Sequence, residues 1–169
     1  MDTRIRELTR ADYAEYFALR LEALETEPLI FGEDPSEHRA HSRATIEARL
    51  GNGTQDSFVL GAFADGTLVG TAALARAERI KRRHMAMVWG VYVQPAWRGK
   101  GIARQLMEYL IARARRMEGL SLLHLTVTTT NPAKRIYDSL GFVQTGIEPM
   151  SMKYRDQYID EYYMVLKLI

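Results

Sequence analysis

The chain of 169 residues contains no cysteine, which excludes a disulfide framework, a thiolate metal site and a covalent cysteine nucleophile together. Any group it transfers must move directly or through another kind of side chain. Nor does it hold an apolar run approaching the ~20 residues needed to cross a bilayer, and its first ten residues, M-D-T-R-I-R-E-L-T-R, are too charged for a secretory leader. A cytoplasmic protein with no membrane partner is expected. An excess of one charge is also lacking: 23 Lys and Arg against 21 Asp and Glu leave a formal +2, with no polybasic field to draw nucleic acid. The one basic stretch, Arg76 to His84, lacks interleaved aromatics and lies between two strand-like runs, so it reads as a solvated loop. No His or carboxylate cluster has metal-ligand spacing, and no metal site is expected.

The 47% apolar content is enough for one domain with a full core over residues 1–169. Arg4 to Leu8 reads as a first strand, followed by a helix capped at Thr9 or Asp12, with Tyr13, Phe17, Leu21 and Leu24 at helical spacing and an end at Pro28. A loop with Gly32 and Pro35 follows, and then a polar helix capped by Ser36, reaching about Leu50 and closed by Gly51, Asn52 and Gly53. Ser57 to Ala64 and Leu68 to about Arg76 are strands joined by Asp65-Gly66, a hairpin signal because Gly accepts the positive φ of a tight turn. Met85 to Val93 and Leu122 to Val127 are strands on either side of a helix from about Gly101 to Met117, a β-α-β unit that implies a parallel pair. A short helix, Asn131 to Leu140, and strands near Phe142 to Ile147 and Tyr162 to Leu168 complete the pattern. The expected fold is a mixed α/β sheet, mostly antiparallel with a central parallel pair and flanked by helices.

The chemistry is concentrated between Val88 and Met107, V-W-G-V-Y-V-Q-P-A-W-R-G-K-G-I-A-R-Q-L-M. A buried strand empties into a glycine turn that opens a helix, so backbone N–H groups and the positive helix end converge where Arg98 and Lys100 add charge. That arrangement suits a diphosphate. A P-loop is excluded, since Gly101 follows Lys100 where Ser or Thr must hold Mg²⁺. The dinucleotide fingerprint is excluded too, because its third glycine is missing and the stretch is not in a first β-turn-α unit.

The remaining match is R-G-K-G-I-A, which resembles the acetyl-CoA signature Q/R-x-x-G-x-G/A of the GCN5-related N-acetyltransferase (GNAT) family, with Arg98, Gly101 and Ala103 at the defined positions. Asn131 to Phe142, N-P-A-K-R-I-Y-D-S-L-G-F, resembles the family's second motif, and the resemblance covers about Met85 to Phe142. It implies a GNAT-like acyl-CoA acyltransferase fold and acetyl-CoA as co-substrate, with the diphosphate on Arg98, Gly99, Lys100, Gly101, Ile102 and Ala103. The pantetheine arm would lie along Val91, Tyr92 and Val93 like an added strand, with Gly90 the place for a bulge that separates strands. In the family the motif Asn contacts the cofactor and the motif Tyr protonates the departing thiolate; Asn131 and Tyr137 take those positions. By itself, a Tyr on the apolar face of Ala133, Ile136 and Leu140 is a core aromatic.

The acceptor would be a small-molecule or protein amine. The strand Met85 to Val93 lacks the carboxylate that some family members use as base, and His84 stands seven residues, roughly 23 Å of strand at ~3.3 Å per residue, before Val91. Glu33, in the loop that borders the acceptor groove in this family, is the candidate base. The alternative to an enzyme is a non-catalytic acyl-CoA sensor, which needs the turn but not Tyr137. The tyrosine-rich late strands suggest a homodimer.

Overall fold

The computed structural model describes residues 3–51 and 56–169. Seven strands, β1 (Thr3–Glu7), β2 (Ser57–Ala64), β3 (Thr67–Arg76), β4 (Met85–Val93), β5 (Leu122–Thr128), β6 (Val143–Tyr154) and β7 (Gln157–Lys167), form one sheet in the order β1-β2-β3-β4-β5-β7-β6. Every neighbouring pair is antiparallel except β4 and β5. The parallel pair needs a crossover, which α4 (Ile102–Ala114) supplies. Ile102, Leu106, Met107, Leu110, Ile111 and Ala114 of α4 are buried on one face of the sheet, in the same cluster as Tyr137 of α5 (Lys134–Ser139). The opposite face is covered by α1 (Tyr13–Thr26) and α3 (Arg43–Glu47), through Tyr16, Leu19, Ala23 and Ile46.

The Asp65-Gly66 hairpin forms as its sequence requires, both residues at positive φ, 49° and 83°. Three expectations are corrected. The polar helix is not continuous: α2 (Pro35–Ala40) ends at His41, whose ψ of 136° is extended, and Ser42 restarts the chain as α3 by accepting from the Thr45 N–H at 3.2 Å. Its cap is Asp34 and not Ser36, because Pro35 occupies the first helical position and the Asp34 carboxylate accepts from the Ser36 N–H at 2.8 Å. Gly51 lies beyond the helix at φ 60°, while Asn52 and Gly53 are outside the described residues. The late strands are also far longer than their apolar runs, and they join in a two-residue turn at Arg155-Asp156, with Tyr154 paired to Gln157. β6 is the sheet edge and largely exposed, so it needs no hydrophobic alternation and gives no periodic signal.

Candidate active site

The site is organised by an irregularity in β4. Its ladder with β3 runs from Ala73↔Trp89 to Thr71↔Tyr92, so β4 spends one more residue than β3 over that interval. The extra residue is accommodated at Gly90, φ 62°, whose carbonyl accepts from the Thr71 hydroxyl at 3.0 Å. Side-chain alternation is thereby reset: Ala86 and Val88 face α4 and Trp89 faces α1, yet beyond Gly90 it is Val91 and Val93 that face α4, and Tyr92 that faces α1. On the other side, β4 pairs with β5 only over Met85–Met87. From Val88 onward its β5-facing edge has no strand partner among the described residues, so the expected bulge and the expected separation are both present at Val91 to Val93.

That open edge runs directly into the glycine turn. A short 3-10 turn, Pro95–Trp97, leads to Arg98, and Gly99 and Gly101 follow at φ 74° and 77°. Gly101 is the residue before α4, so the N–H groups at the start of that helix have no intrahelical acceptor. A Cβ at Gly99 would meet nothing within 4 Å, and one at Gly101 only the tip of Gln105 at 3.8 Å. The glycines serve backbone shape and leave open space over the helix end, which is what an anion requires. Arg98 is already engaged: its Nε donates to the Val93 carbonyl at 2.9 Å and its Nη2 to Glu27 at 2.7 Å. It braces the turn against α1, while Lys100 lies 4.4 Å from the centre of the Trp97 ring. Glu22 braces it further, accepting from the Tyr92 hydroxyl and the Gln94 amide, both at 2.9 Å.

Tyr137 is 6% exposed and packs edge-on against Phe142, with ring centres 5.9 Å apart. Burial alone pushes its phenol well above the ordinary tyrosine range. Asn131 uses its side-chain oxygen to accept from the Ala133 N–H at 2.9 Å, which fixes the entry to α5. Glu33 lines a pocket of about 410 Å³ between the α1–α2 loop and the β6–β7 hairpin, together with Phe31, Arg39, Met152, Lys153 and Tyr154. One Glu33 oxygen accepts from Arg20 Nε and Nη2 at 3.2 and 3.0 Å, and the other pairs with His41 Nε2 at 2.7 Å. Burial pushes its carboxyl upward, but the His41 hydrogen bond and the Arg20 and Arg49 charges outweigh this and hold it below the ordinary range. Glu33 therefore stays ionised near neutrality.

Arg20, Arg49 and His41 pair with Glu33, Trp89 lies under both arginines and Phe31 lines the pocket itself; none of them was singled out from sequence. Arg20 carries a usable signal, since it stands three residues after Phe17 and four before Leu24 on the apolar face of α1. Arg49 carries none, because only the fold brings the turn after α3 beside Trp89.

A half-open bulged strand that runs into a glycine turn and a helix N-terminus defines an acyl-CoA acyltransferase, and the chain belongs to the acetyltransferase (GNAT) family, whose model matches residues 15–142. An N-alpha-acetyltransferase of Mycobacterium tuberculosis is 33% identical over 141 residues, covering 83% of this chain and 78% of that protein. An L-amino acid N-acetyltransferase of Escherichia coli K12 is 31% identical over 101 residues, 59% of this chain; the match spans 62% of the relative, under two thirds of its length. The structure of an acetyltransferase from Salmonella typhimurium with acetyl-CoA superposes with a TM-score of 0.82 at 27% identity, covering 100% of this chain and 95% of that one. The acetyl donor is thus acetyl-CoA and the reaction class is acetyl transfer to an amine.

Proposed function

We propose that acetyl-CoA binds along the open edge of β4 and that its acetyl group passes directly to an amine in a ternary complex. The observation that carries this reading is the continuity of the unpaired Val91–Val93 edge with the Gly99–Gly101 turn. One extended ligand with amides along its arm and a diphosphate at its end matches both. Arg98, Gly99, Lys100, Gly101, Ile102 and Ala103 enclose the diphosphate, Val91, Tyr92 and Val93 the arm, and Asn131 shapes the start of the helix that carries Tyr137. A backbone N–H near Val91 stabilises the oxyanion as the amine adds to the thioester, and Tyr137 donates to sulfur as the intermediate collapses.

An alkylamine with a pKa of ~10.4 must first lose a proton, which costs about 4–5 kcal/mol at pH 7. Glu33 serves here as the base: it lines the pocket as a carboxylate, takes the proton of the incoming ammonium and releases it to solvent. Exposed Val143, Ile147, Met150 and Tyr158 on β6 and β7 support a homodimer, and a cytoplasmic setting suits an enzyme that consumes acetyl-CoA. The test is a calorimetric titration with acetyl-CoA, followed by free-thiol release against an amine panel. Saturable binding with amine-dependent thiol release is expected; tight binding without turnover on any amine would establish the sensor instead.

A further inference from the structure

Two arginines that pair with the pocket residue Glu33 have donors without a hydrogen-bond partner among the described residues. Arg20 and Arg49 converge on Glu33, the first through Nε and Nη2, the second with Nη2 at 3.7 Å from the oxygen that faces His41. Both guanidinium groups lie 5.6 Å from the centre of the Trp89 ring. Two guanidinium charges against one carboxylate leave an uncompensated positive charge. The Arg20 side chain is only 10% exposed, and the Nη1 nitrogens of both arginines are buried without a hydrogen-bond partner among the described residues. Buried polar groups are almost always paired, and unpaired cationic donors are the costliest exceptions. Their position is also specific: a Cβ built at Gly90 would stand 3.7 Å from Arg20 Nη1, so this unused donor faces the bulge beside which the thioester would react.

We propose that Arg20 and Arg49 bind the carboxylate of a free α-amino acid acceptor, whose ammonium group is received by Glu33. This rests on the acetyl-transfer reading and narrows it. A free amino acid has a carboxylate one carbon from its amine, which the opposed charges of Arg20, Arg49 and Glu33 match; a protein N-terminus has a neutral amide at that place. One named relative is an L-amino acid N-acetyltransferase, and the unspent positive charge favours that kind of acceptor. Phe31 lines the pocket and its ring centre also lies 5.1 Å from the Arg20 guanidinium carbon, so this one ring adjoins both the pocket and the buried arginine.

The test uses thiol release with a panel of L-amino acids, each paired with its own carboxamide. The amine of the amide is less basic, so chemistry alone favours the amide, and a preference for the acid reports recognition. The free acid should be preferred roughly 10- to 100-fold in kcat/KM, the discrimination one charge-assisted hydrogen-bonded pair supplies. Arg20→Lys and Arg49→Lys keep the charge but lose the fork, and each should cut that preference by about tenfold. Equal or better turnover of amides, or of peptide N-termini alone, would overturn the proposal and leave acetyl transfer standing. If no amine is turned over, the acetyl-transfer reading fails, and titration of the amino acids into the CoA-saturated protein decides the site separately. Saturable binding weakened in Arg20→Lys upholds the carboxylate site; absence of binding overturns it.

Discussion

Replacing Tyr137 by Phe separates packing from chemistry, because the ring stays and one oxygen leaves. The phenol is buried, makes no hydrogen bond among the described residues, and is shifted by desolvation alone. Removing it therefore breaks no contact. Relief of the desolvation should leave stability unchanged or raise it by up to about 1 kcal/mol, which is roughly 2–4 °C in Tm for a domain of this size. Activity should move the other way. With ordinary values of ~10 for Tyr and ~8.5 for a thiol, complete proton transfer to the departing thiolate is uphill by about 2 kcal/mol, and burial raises that further. The hydroxyl therefore acts while the carbon–sulfur bond is breaking, as a donor to developing charge. Losing it should lower kcat by roughly 10²–10⁴ while leaving acetyl-CoA affinity nearly unchanged, since the interaction is made in the transition state. Calorimetry gives the affinity, thermal unfolding the stability, and thiol release with a real acceptor the turnover. A mutant that turns over like the parent across the pH range would return Tyr137 to the role of core aromatic, and a large loss of stability would refute the claim that its hydroxyl is unpartnered.

The other predictions concern cofactor, metal and pH. Gly101→Glu places a carboxylate at the open helix end and a side chain at φ 77°; acetyl-CoA binding should be lost from a protein whose circular dichroism is unchanged, and retained affinity would sink the assignment of the turn. EDTA and added Mg²⁺ should both leave thiol release unaltered, since no group of three His, Cys, Asp or Glu among the described residues is placed to hold a metal. Loss on chelation with recovery on one added metal would refute this. Burial raises the Tyr137 phenol, so its contribution to stability is full below the unfolded value of ~10 and is lost as pH rises above it. Urea unfolding at pH 9 to 11 should show stability falling, with a shallower fall in Tyr137→Phe; parallel profiles would contradict the burial argument.

The parts of the fold legible in the sequence are those where local chemistry and tertiary demand agree. The Asp65-Gly66 turn, the β4 boundaries Met85 and Val93, and Gly99 and Gly101 are examples, each with residue types that accept few alternatives. The β6–β7 hairpin was hidden because Arg155 takes positive φ, 53°, without being Gly or Asn, and because an exposed edge strand need not alternate. The break between α2 and α3 lies in His41-Ser42-Arg43, where a cap and an interior residue look alike until packing selects one. At the site, the shape of the turn was legible because Gly99 and Gly101 mark it. The Arg20–Glu33–Arg49 group was not, as its members lie 13 and 16 residues apart in sequence (33 − 20 and 49 − 33) and meet only through α1, the loop and the turn after α3.

The extra residue at Gly90 acts as a phase shifter for everything that follows it. Straightening β4 with Gly90 kept in the pleat would turn Tyr92 away from Glu22 and Thr26 and present Val91 and Val93 to the α1 side. The turn at Arg98 would then leave the sheet half a pleat out of step, separated from the Glu27 carboxylate that anchors it. The bulge thus absorbs the odd residue between Trp89 and Tyr92 and keeps the strand beyond it in phase with both α1 and α4, without a change in any residue that lines the cofactor edge.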